Sequence, residues 1–590
     1  MCNKIKKKFI TSALPYVNNQ PHLGNIIGSL LSADVYARFC RKMGYSTVFI
    51  SGTDEYGTAT EMEAIKQGIL PLEIVEKNRK IHRKIYNFFN LSFDFFGQTH
   101  CEAHKLLVQE IFLKTIDYFE ERLISMHFCD NCKQFLADRY VKGECSCGAT
   151  ASGDQCDDCN RVFKDATELK NSKCAICGNR TVLKNSKHLF LRLDQLQRFV
   201  QNLDTKYWSK NAVSIYKNWV NAEILPRCMT RRLKYKWGVP VPLKNYEDAV
   251  FYVWFDAPIG YLTFLQQKKG LSWLKNADWV QFMGKDNVPF HSIMFPSVLY
   301  ALKQHEMKEE SANSNKERSL LEKIEDLQLT ERKDLIGSIK SDLSGNFLLP
   351  TDISLDFNII ISATDYLTFK KKKFSKSKRI GIFGMDLIEK NIGDVTKWKF
   401  YLLRKRPETK DSDFSVEEFI EMVNNELIAN LGNFINRTLK FIEKKQIDVG
   451  EEISKHNLQN NKEIESFIEQ VNEGYKEFLS LMDKIQLRAG LLKVLEMSQM
   501  GNKFLQGFQG NKQEIPLAFS VSLSLVQLLG HCFESFLPEA AEKLFKIINK
   551  DSELFPKEFV IKKDIKLESK VEVLFNKFSD EQETELNKFI

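Results

Sequence analysis

Pro21-His22-Leu23-Gly24-Asn25 lies between two segments whose apolar side chains recur at different spacings. Before it, residues 9–14 contain a short apolar run of the strand type. After it, residues 25–43 repeat apolar side chains at helical spacing, and a second apolar run at 48–50 leads into Ser51-Gly52-Thr53-Asp54. This order predicts a βαβ unit with a parallel sheet, in which ligands bind at the strand ends.

The Pro21–Asn25 string has the residues that an anion site at a helix start requires. Gly24 lets a phosphate approach the backbone, where free N–H groups and the helix dipole favour an anion. His22 can donate a further hydrogen bond. The string alone is equally compatible with an ordinary helix cap that exposes one histidine.

A second string, Lys373-Phe374-Ser375-Lys376-Ser377, follows a run of lysines and precedes Gly381. We expect it to form a mobile basic loop. Lys373 and Lys376 are point charges on flexible stems, which suits them to the phosphates of a nucleoside triphosphate. A lysine run alone indicates only a solvated surface, but the two strings in this order predict one nucleotide site.

From about residue 8 to about residue 545, interrupted by one insertion, the chain resembles methionyl-tRNA synthetase, a class I aminoacyl-tRNA synthetase. Besides the two strings, the resemblance depends on four blocks: Ala13-Leu14-Pro15-Tyr16, residues 52–58, residues 252–261 and residues 284–292. The residues chosen at 287, 289, 295 and 373–377 are similar to the eukaryotic cytosolic and archaeal branch of the family.

The resemblance implies roles for individual residues. The catalytic residues would be His22, Asn25, Lys373 and Lys376. The ATP-binding residues would be His22, Gly24, Asn25, Gly284, Asp286, Lys373, Ser375, Lys376 and Ser377. The methionine-binding residues would be Ala13, Leu14, Tyr16, Asp54, Trp254, Ala257, Pro258, Tyr261, Asn287 and His291, with Asp54 on the substrate ammonium. A soft aromatic and apolar pocket of this kind suits a thioether.

The implied reaction joins L-methionine to tRNA(Met). The methionine carboxylate attacks the α-phosphorus of ATP, and the methionyl group then passes from the adenylate to the terminal ribose 2′-hydroxyl of the transfer RNA. Positioning and charge stabilisation would supply the catalysis, with Mg²⁺ accompanying the phosphates.

Cysteine usage predicts a metal module. Eight of the thirteen cysteines lie within residues 129–177. They form the close pairs Cys129/Cys132, Cys145/Cys147, Cys156/Cys159 and Cys174/Cys177. In a reducing compartment such pairs favour structural Zn²⁺ sites over disulfides. Spacing alone permits neighbouring pairs to share an ion, whereas the resemblance implies nesting, with the inner two pairs on one zinc and the outer two on another. Cys145-Ser146-Cys147 is one residue shorter than the family's usual pair.

The predicted fold class is α/β: a Rossmann-like parallel-sheet catalytic domain with a zinc-knuckle insertion, followed by an all-α anticodon-binding helix bundle. The predicted bounds are 1–118 for the first half of the catalytic domain, 119–225 for the insertion, 226–345 for the second half, 346–411 for the KMSKS-type loop and stem-contact region, 412–560 for the bundle and 561–590 for a charged C-terminal helix.

Finer predictions accompany these bounds. We expect the sheet to resume through residues 237–242, 251–255 and 280–283. Residues 303–345 have no counterpart in the family and are predicted to form a charged surface insertion, disordered in its first half, with one short amphipathic helix at 320–327. Later helices are expected at 461–483, 486–506 and 516–549.

Within the bundle, Asn430 matches a residue that the family uses to bind the anticodon. The family's usual Trp near that site is absent, and Asn511 falls at about its place. Phe508 could replace it as the stacking platform, or the anticodon is discriminated less strictly. Arg231-Arg232 also stands where the family tends to have Arg-Asp.

Length, composition and charge limit the number of domains and the kinds of partner. A chain of 590 residues with 43% hydrophobic content supports on the order of four domains. The net charge of +8 fits contact with nucleic acid over part of the surface. We expect no membrane span and no presequence, a cytoplasmic location and a monomer. The alternatives are a class I synthetase for another amino acid, such as leucine, valine or cysteine, and a non-catalytic RNA-binding paralogue.

Overall fold

The computed structural model describes residues 5–153, 156, 159, 163, 166–312, 357–374, 380–458, 461–508, 513–550 and 552–589. Its strands are β1 (Lys7–Ser12), β2 (Ser46–Thr53), β3 (Phe95–Gln98), β4 (Phe119–Cys129), β5 (Gln134–Phe135), β6 (Val141–Glu144), β7 (Thr150–Ser152), β8 (Lys170–Cys174), β9 (Val182–Leu191), β10 (Arg227–Cys228), β11 (Thr230–Arg231), β12 (Val250–Phe251), β13 (Ala277–Gly284), β14 (Asn358–Thr364), β15 (Leu367–Phe369) and β16 (Ser412–Phe414).

Its α-helices are α1 (Leu23–Asn25), α2 (Leu31–Lys42), α3 (Thr58–Gln67), α4 (Pro71–Phe88), α5 (Glu102–Lys114), α6 (Leu193–Val200), α7 (Lys210–Val220), α8 (Val253–Lys268), α9 (Phe295–Ala312), α10 (Gly384–Glu389), α11 (Val395–Arg404), α12 (Val416–Met422), α13 (Asn433–Lys445), α14 (Val449–Ser454), α15 (Lys462–Asp483), α16 (Leu487–Gly507), α17 (Ile515–Phe533), α18 (Pro538–Ile547) and α19 (Asp580–Asn587). Helix α1 continues through a π-helical segment, Ile26–Leu30, into α2.

Five strands form one parallel sheet in the order β14-β13-β1-β2-β3. Strand β1 is central, with Phe9 paired to Trp279 on one side and to Val48 on the other. Later strands are therefore added on both sides of β1, and the direction of the strand order changes between β1 and β13. In folds of this kind, ligands bind at such a switch point. The predicted βαβ unit and the Rossmann-like fold class are confirmed.

Alternate side chains of the strands enter two different cores, because successive residues of a strand point to opposite faces. Ile10, Phe49 and Val280 belong to the core shared with α2 and the C-terminal helices. Phe9 and Trp279 belong to the core shared with α5, α8 and α9. Both faces of the sheet are thus covered, so a ligand can reach the sheet only at the ends of its strands.

The insertion consists of two small sheets. Strands β4 and β9 form a long antiparallel ribbon, flanked by β5 and β10, and β7-β6-β8 form a separate three-stranded sheet. A small core around Cys129, Tyr140 and Cys174 also takes in Leu233 and Val250. The cysteine-bearing part of the insertion therefore packs against residues outside it.

The prediction of sheet strands at 237–242 and 251–255 is wrong. Only Val250–Phe251 is a strand, it pairs with β11 outside the main sheet, and Pro240 makes a single bridge to Val250. Helix α8 begins at Val253 and is buried on nearly every side as far as Leu265. A helix buried all round has no polar face, so its apolar run could not be told from a strand by periodicity. The strand predicted at 280–283 lies within β13.

Residues 303–312, where disorder was expected, continue helix α9. The rest of that insertion, including the short helix predicted at 320–327, lies outside the described residues.

The helices predicted at 461–483 and 486–506 are found as α15 and α16. The single helix predicted at 516–549 is two, because Pro538 starts a new helix. The helix predicted at 561–590 is confined to α19 (Asp580–Asn587). Residues 561–579 form no helix or strand, and their apolar side chains, such as Val571 and Phe578, are buried against the bundle.

Within the described part of the chain one helix, α17, is long and apolar enough to cross a membrane by composition alone. It is the central helix of the bundle, and 89% of its most apolar window is buried by neighbouring helices. Its hydrophobicity is therefore accounted for by packing.

Candidate active site

A cavity of about 660 Å³ lies where β1, β2, β13 and β14 end. The ten residues that the family resemblance predicts to bind methionine all line this cavity: Ala13, Leu14, Tyr16, Asp54, Trp254, Ala257, Pro258, Tyr261, Asn287 and His291. Of those assigned to ATP, the cavity is lined by His22, Gly24, Asn25, Gly284, Asp286 and Lys373. Ser375, Lys376 and Ser377 lie outside the described residues.

His22 caps the helix that starts at Leu23. Its Nδ1 accepts a hydrogen bond from the backbone N–H of Asn25 at 3.3 Å, and the Asn25 side-chain oxygen accepts from the backbone N–H of His22 at 3.1 Å. The reciprocal pair fixes the ring at the helix mouth. Burial lowers the pKa of His22 to about 4, so the ring is neutral at physiological pH.

The basic loop reaches this helix mouth. The ring of Phe374 stacks on His22, with centroids 4.6 Å apart and an interplanar angle of 6°. Lys373, the preceding residue, lies with its Nζ 5.0 Å from the ring centroid of Tyr366 and lines the same cavity. Gly381 has φ +117°, and a Cβ there would stand 2.0 Å from Phe374. The two strings of the sequence therefore meet at one end of one cavity.

The other end is aromatic and apolar. Trp254 stacks on Phe290, with centroids 3.5 Å apart, and Tyr16 approaches Trp254 edge-on. Behind them, His291 Nδ1 donates to the Asn287 carbonyl at 2.9 Å, so its Nε2 accepts from the Tyr261 hydroxyl at 3.0 Å. Burial lowers the pKa of His291 to about 4, which preserves this arrangement down to acid pH.

Asp54 is the charged group of this apolar end. It is 3% exposed, and its Oδ1 has no hydrogen-bond partner among the described residues. Burial, and then the nearby carboxylates Asp256 and Glu55, raise its pKa well above the usual value. A buried carboxylate with an unpaired oxygen is costly, and a ligand ammonium would relieve that cost.

Asp256 lies beneath the same region. It is fully buried, and its Oδ2 is 3.5 Å from His104 Nε2. Thr263 Oγ1 lies 3.0 Å from His104 Nδ1 and donates to the Ile259 carbonyl, so the Nδ1–H donates to Thr263. Sequence reasoning missed this buried network because its members lie 152 and 159 residues apart in the chain.

Other cavity residues were also missed. Helix α4 holds the loop before the helix mouth, since Asn78 Nδ2 donates to the Val17 carbonyl at 2.6 Å and His82 Nε2 donates to the Asn19 carbonyl at 2.7 Å. Arg139 reaches the cavity from the insertion. The residue types of Asn78, His82 and Arg139 do not by themselves indicate a role at the cavity. The i, i+4 spacing of Asn78 and His82 does place these two on one helix face.

A family model described as "tRNA synthetases class I (M)" matches residues 8–315 and 348–439. The chain belongs to this family of class I synthetases. A second model, "Anticodon binding domain of methionyl tRNA ligase", matches residues 456–589 of the synthetase.

Relatives are similar over nearly the whole length. The chain is 42% identical to the probable cytoplasmic methionine–tRNA ligase of Encephalitozoon cuniculi (strain GB-M1), over 99% of this chain and 98% of that protein. It is 40% identical to the cytoplasmic methionine–tRNA ligase of Arabidopsis thaliana, over 92% of this chain and 64% of that protein. A crystal structure of Mycobacterium tuberculosis methionyl-tRNA synthetase with methionyl-adenylate has the same fold, with a TM-score of 0.64 at 17% identity, covering 92% of this chain and 94% of that one.

The eight clustered cysteines of the synthetase gather in two groups. The outer group contains Cys129, Cys132, Cys174 and Cys177, and the inner group contains Cys145, Cys147, Cys156 and Cys159. This is the nested arrangement. Sulfur–sulfur distances of 3.5 and 3.9 Å in the outer group and 3.7 Å in the inner group are close to the ~3.8 Å edge of a tetrahedron with zinc–sulfur bonds of about 2.3 Å. Both groups fit a zinc ion, and the short Cys145-Ser146-Cys147 pair does not prevent the inner four from converging.

In the bundle, Asn430 lies in the π-helical segment Val423–Gly432 and its Nδ2 donates to the Leu495 carbonyl at 3.0 Å. Phe508 is 3% exposed and packs against Phe504 with centroids 5.0 Å apart. A base could stack on Phe508 only if that ring left the core. Asn511 lies outside the described residues.

Arg232, the departure noted in the sequence, has local partners. Its guanidinium pairs with Asp248 and donates from Nε to the Ser186 hydroxyl at 3.0 Å. It thus fastens the ribbon strand β9 to the segment before β12. Arg231 instead lies over the ring of Tyr252, 3.9 Å from its centroid.

Proposed function

We propose that this chain is a methionine–tRNA ligase, which joins L-methionine to tRNA(Met) through methionyl-adenylate. The observation that carries the proposal is the stack of Phe374 on His22, because it brings the lysine loop to the helix mouth at one end of a cavity whose other end suits methionine.

In the first step, an oxygen of the methionine carboxylate attacks the α-phosphorus of ATP and the bond to the β-phosphate breaks, releasing pyrophosphate. His22, Gly24 and Asn25 would hold phosphates at the helix mouth. Lys373 and Lys376, with Ser375 and Ser377, would follow the charge onto pyrophosphate, and Gly284 and Asp286 would contact the nucleotide. Mg²⁺ would enter with the phosphates.

Asp54 would bind the substrate ammonium. Asp54, Glu55 and Asp256 each have an oxygen without a hydrogen-bond partner among the described residues, and of these three Asp54 is the one that lines the cavity. Leu14, Tyr16, Trp254, Ala257, Pro258, Tyr261 and His291 would enclose the side chain, with Ala13 and Asn287 beside them. In the second step, the ribose 2′-hydroxyl attacks the carbonyl carbon of the adenylate and AMP leaves.

The two cysteine groups would each hold a structural zinc, since four thiolates leave no open position for a reacting ligand. Residues 412–560, with Asn430 and Phe508, are proposed to bind the anticodon. We also propose a cytoplasmic monomer, in line with the relatives named as cytoplasmic.

The test is exchange of labelled pyrophosphate into ATP, measured with each of the twenty amino acids. Stimulation by methionine alone is expected. Stimulation by leucine, valine or cysteine in preference to methionine would contradict the substrate, and stimulation by none would favour a non-catalytic RNA-binding protein. Charging of tRNA(Met) transcripts then tests the second step.

A further inference from the structure

His104 and Asp256 form a buried titratable pair that the reaction described so far does not use. His104 lies on α5 and Asp256 in the first turn of α8, and both residues are 0% exposed. His104 Nε2 lies 3.5 Å from Asp256 Oδ2. Neither residue lines the cavity, but Asp54, which does, responds to the charge of Asp256. The pair can therefore affect a substrate through Asp54 without touching it.

The hydrogen bonds of His104 show where its own proton lies. Thr263 Oγ1 donates to the Ile259 carbonyl at 3.3 Å, so it accepts from the Nδ1–H of His104 at 3.0 Å. A neutral imidazole has one N–H, which makes Nε2 an acceptor. An ionised carboxylate is also only an acceptor. Two buried acceptors that face each other form a hydrogen bond only when a further proton lies between them.

This further proton belongs to Asp256. Burial lowers the pKa of His104 to about 3 and raises the pKa of Asp256 well above its usual value. Both shifts favour a neutral carboxylic acid beside a neutral imidazole over an ion pair. Asp256 Oδ2–H then donates to His104, and His104 donates to Thr263. Each donor of this buried chain of hydrogen bonds has its acceptor.

Asp54 lies close enough to Asp256 for their charges to interact. The other titratable and charged groups around these two carboxyl groups are Tyr16, Glu55, Tyr56, Arg79, Cys101 and Tyr261. Burial raises the pKa of the tyrosines and of the thiol, so these groups stay neutral, and Glu55 pairs with Arg79 at 3.0 Å. The protonation of Asp256 therefore determines whether Asp54 faces a second unpaired carboxylate.

A proton shared by Asp256 and His104 leaves Asp54 free for a ligand. An ionised Asp256 would raise the pKa of Asp54 and so draw a proton onto it. An Asp256 acid without an acceptor of its own would instead donate to the unpartnered Oδ1 of Asp54. Either change removes the free anion that meets the substrate ammonium. We propose that His104 is a positioning residue for methionine, which accepts the proton of Asp256 and so reserves Asp54 for the ammonium, an assignment that rests on the proposed function.

The first test observes the proton in the full-length wild-type protein. The chain has ten histidines, so nitrogen NMR of histidine-labelled protein gives few signals, and His104→Gln identifies the one from His104. We expect an Nδ1–H ring with a bare Nε2 that does not titrate between about pH 5 and about pH 9. A doubly protonated ring or an Nε2–H ring at neutral pH would overturn the proposal.

Substitutions then test the effect on methionine by pyrophosphate exchange at varied methionine concentration. His104→Leu removes the acceptor, so the ammonium has to displace a hydrogen bond from Asp256 to Asp54. We expect KM for methionine to rise about ten- to a hundredfold with kcat within about threefold. His104→Gln offers an amide oxygen in place of Nε2 and should recover most of the loss. Asp256→Asn keeps a neutral donor for His104, so its KM should rise far less than that of His104→Leu.

The pH profile gives a readout that lost packing would not move. In His104→Leu the new hydrogen bond stabilises ionised Asp54, so the acid limb of kcat/KM should move to lower pH. In Asp256→Asn the limb should stay in place, whereas it would also move to lower pH if Asp256 were ionised in the wild type. His188→Leu is the matched control, because His188 is also buried, lies 3.0 Å from a threonine hydroxyl and is outside the cavity. It should lower stability and leave KM for methionine unchanged.

The proposal is overturned if KM does not change in His104→Leu, if His188→Leu raises KM equally, or if Asp256→Asn is as damaging as His104→Leu. Should His104→Leu fail to fold, His104→Gln, Asp256→Asn and the NMR measurement still decide. Failure of the wild type to exchange pyrophosphate with methionine would instead refute the proposed function. The two failures are distinguishable because the NMR measurement does not depend on activity.

Discussion

Asp54→Asn keeps the shape of the side chain at the methionine end and removes its charge. Asp54 is 3% exposed and its Oδ1 has no partner among the described residues, so the ammonium of methionine is the group that would balance it. Loss of one partner from a buried charge pair costs about 2–5 kcal/mol. At about 1.4 kcal/mol per tenfold, kcat/KM for methionine should fall about 30- to 5,000-fold.

The same substitution should not destabilise the empty protein. Burial and then Asp256 and Glu55 raise the pKa of Asp54 in the folded state. The folded state therefore holds this proton more tightly than the unfolded state, and the stability contribution of the group falls as pH rises from its unfolded pKa through its folded pKa. At neutral pH, Asn removes that cost, so the free energy of unfolding should stay equal or increase while activity is lost.

Pyrophosphate exchange at varied methionine concentration measures the first effect, and denaturant unfolding without ligands measures the second. Glu55→Gln is the matched control, because Glu55 is equally buried but is paired with Arg79 at 3.0 Å and accepts from Thr53 at 2.7 Å. It should lose stability and keep its methionine dependence. A change of less than about threefold in kcat/KM for Asp54→Asn, or an equal loss in the control, would refute Asp54 as the ammonium partner.

Four other outcomes are expected. Gly381→Ala should raise KM for ATP, because φ +117° disfavours alanine and its Cβ would displace Phe374 from His22; Gly68→Ala, with φ +69° and open space around it, controls for backbone strain alone. Cys129→Ser and Cys145→Ser should each remove about one equivalent of zinc per chain in metal analysis, and equal zinc content in variant and wild type would contradict the two-site arrangement. His82, His188 and His291 are buried with pKa lowered to about 4, so their contribution to the unfolding free energy should fall as pH drops from 6.5 toward 4, opposite in sign to that of Asp54; NMR titration of the folded protein measures these rings directly, and titration near pH 6.5 would show that they are not held neutral in the fold. Phe508→Ala should lower thermal stability through its lost packing and also lower charging of wild-type tRNA(Met) if the ring is a stacking platform, and unchanged charging would leave it as a core residue.

The sequence predicted those parts of the fold whose signals are local. The strand, helix and strand around Pro21–Asn25 each have a clear period, and the cysteine pairs have the spacing of metal knuckles. The strand predicted at 251–255 was wrong because α8, which begins at Val253, is buried on nearly every side and its sequence lacks a helical period. The helix predicted through residues 561–579 is not found, because their spaced apolar side chains pack into the core from irregular chain and not from one helix face.

The candidate site also contains residues that motifs predict and residues that only the folded structure brings there. Residues carried by motifs, such as Asp54, Tyr261 and His291, were predicted because the resemblance named them, and the fold brings all of them to one cavity. Arg139, His104 and Asp256 were not predicted, since only tertiary packing joins them to the site. Arg139 in particular reaches the cavity from the segment that carries both cysteine groups.

The packing also determines which part of the site depends on the metal groups. The nucleotide fold and the bundle share one continuous core, and Lys42–Glu534, Lys399–Glu539 and Arg404–Glu426 ion pairs fasten them at 2.6–2.8 Å. The helix mouth and the lysine loop are therefore supported by a large apolar core that includes neither cysteine group. The cysteine-bearing part of the insertion packs in a much smaller core, which includes Cys129, Cys145, Cys156 and Cys174, so loss of the metal should loosen this part first. Arg139 lines the cavity from that part of the chain, so zinc loss should displace its side chain before it disturbs the helix mouth.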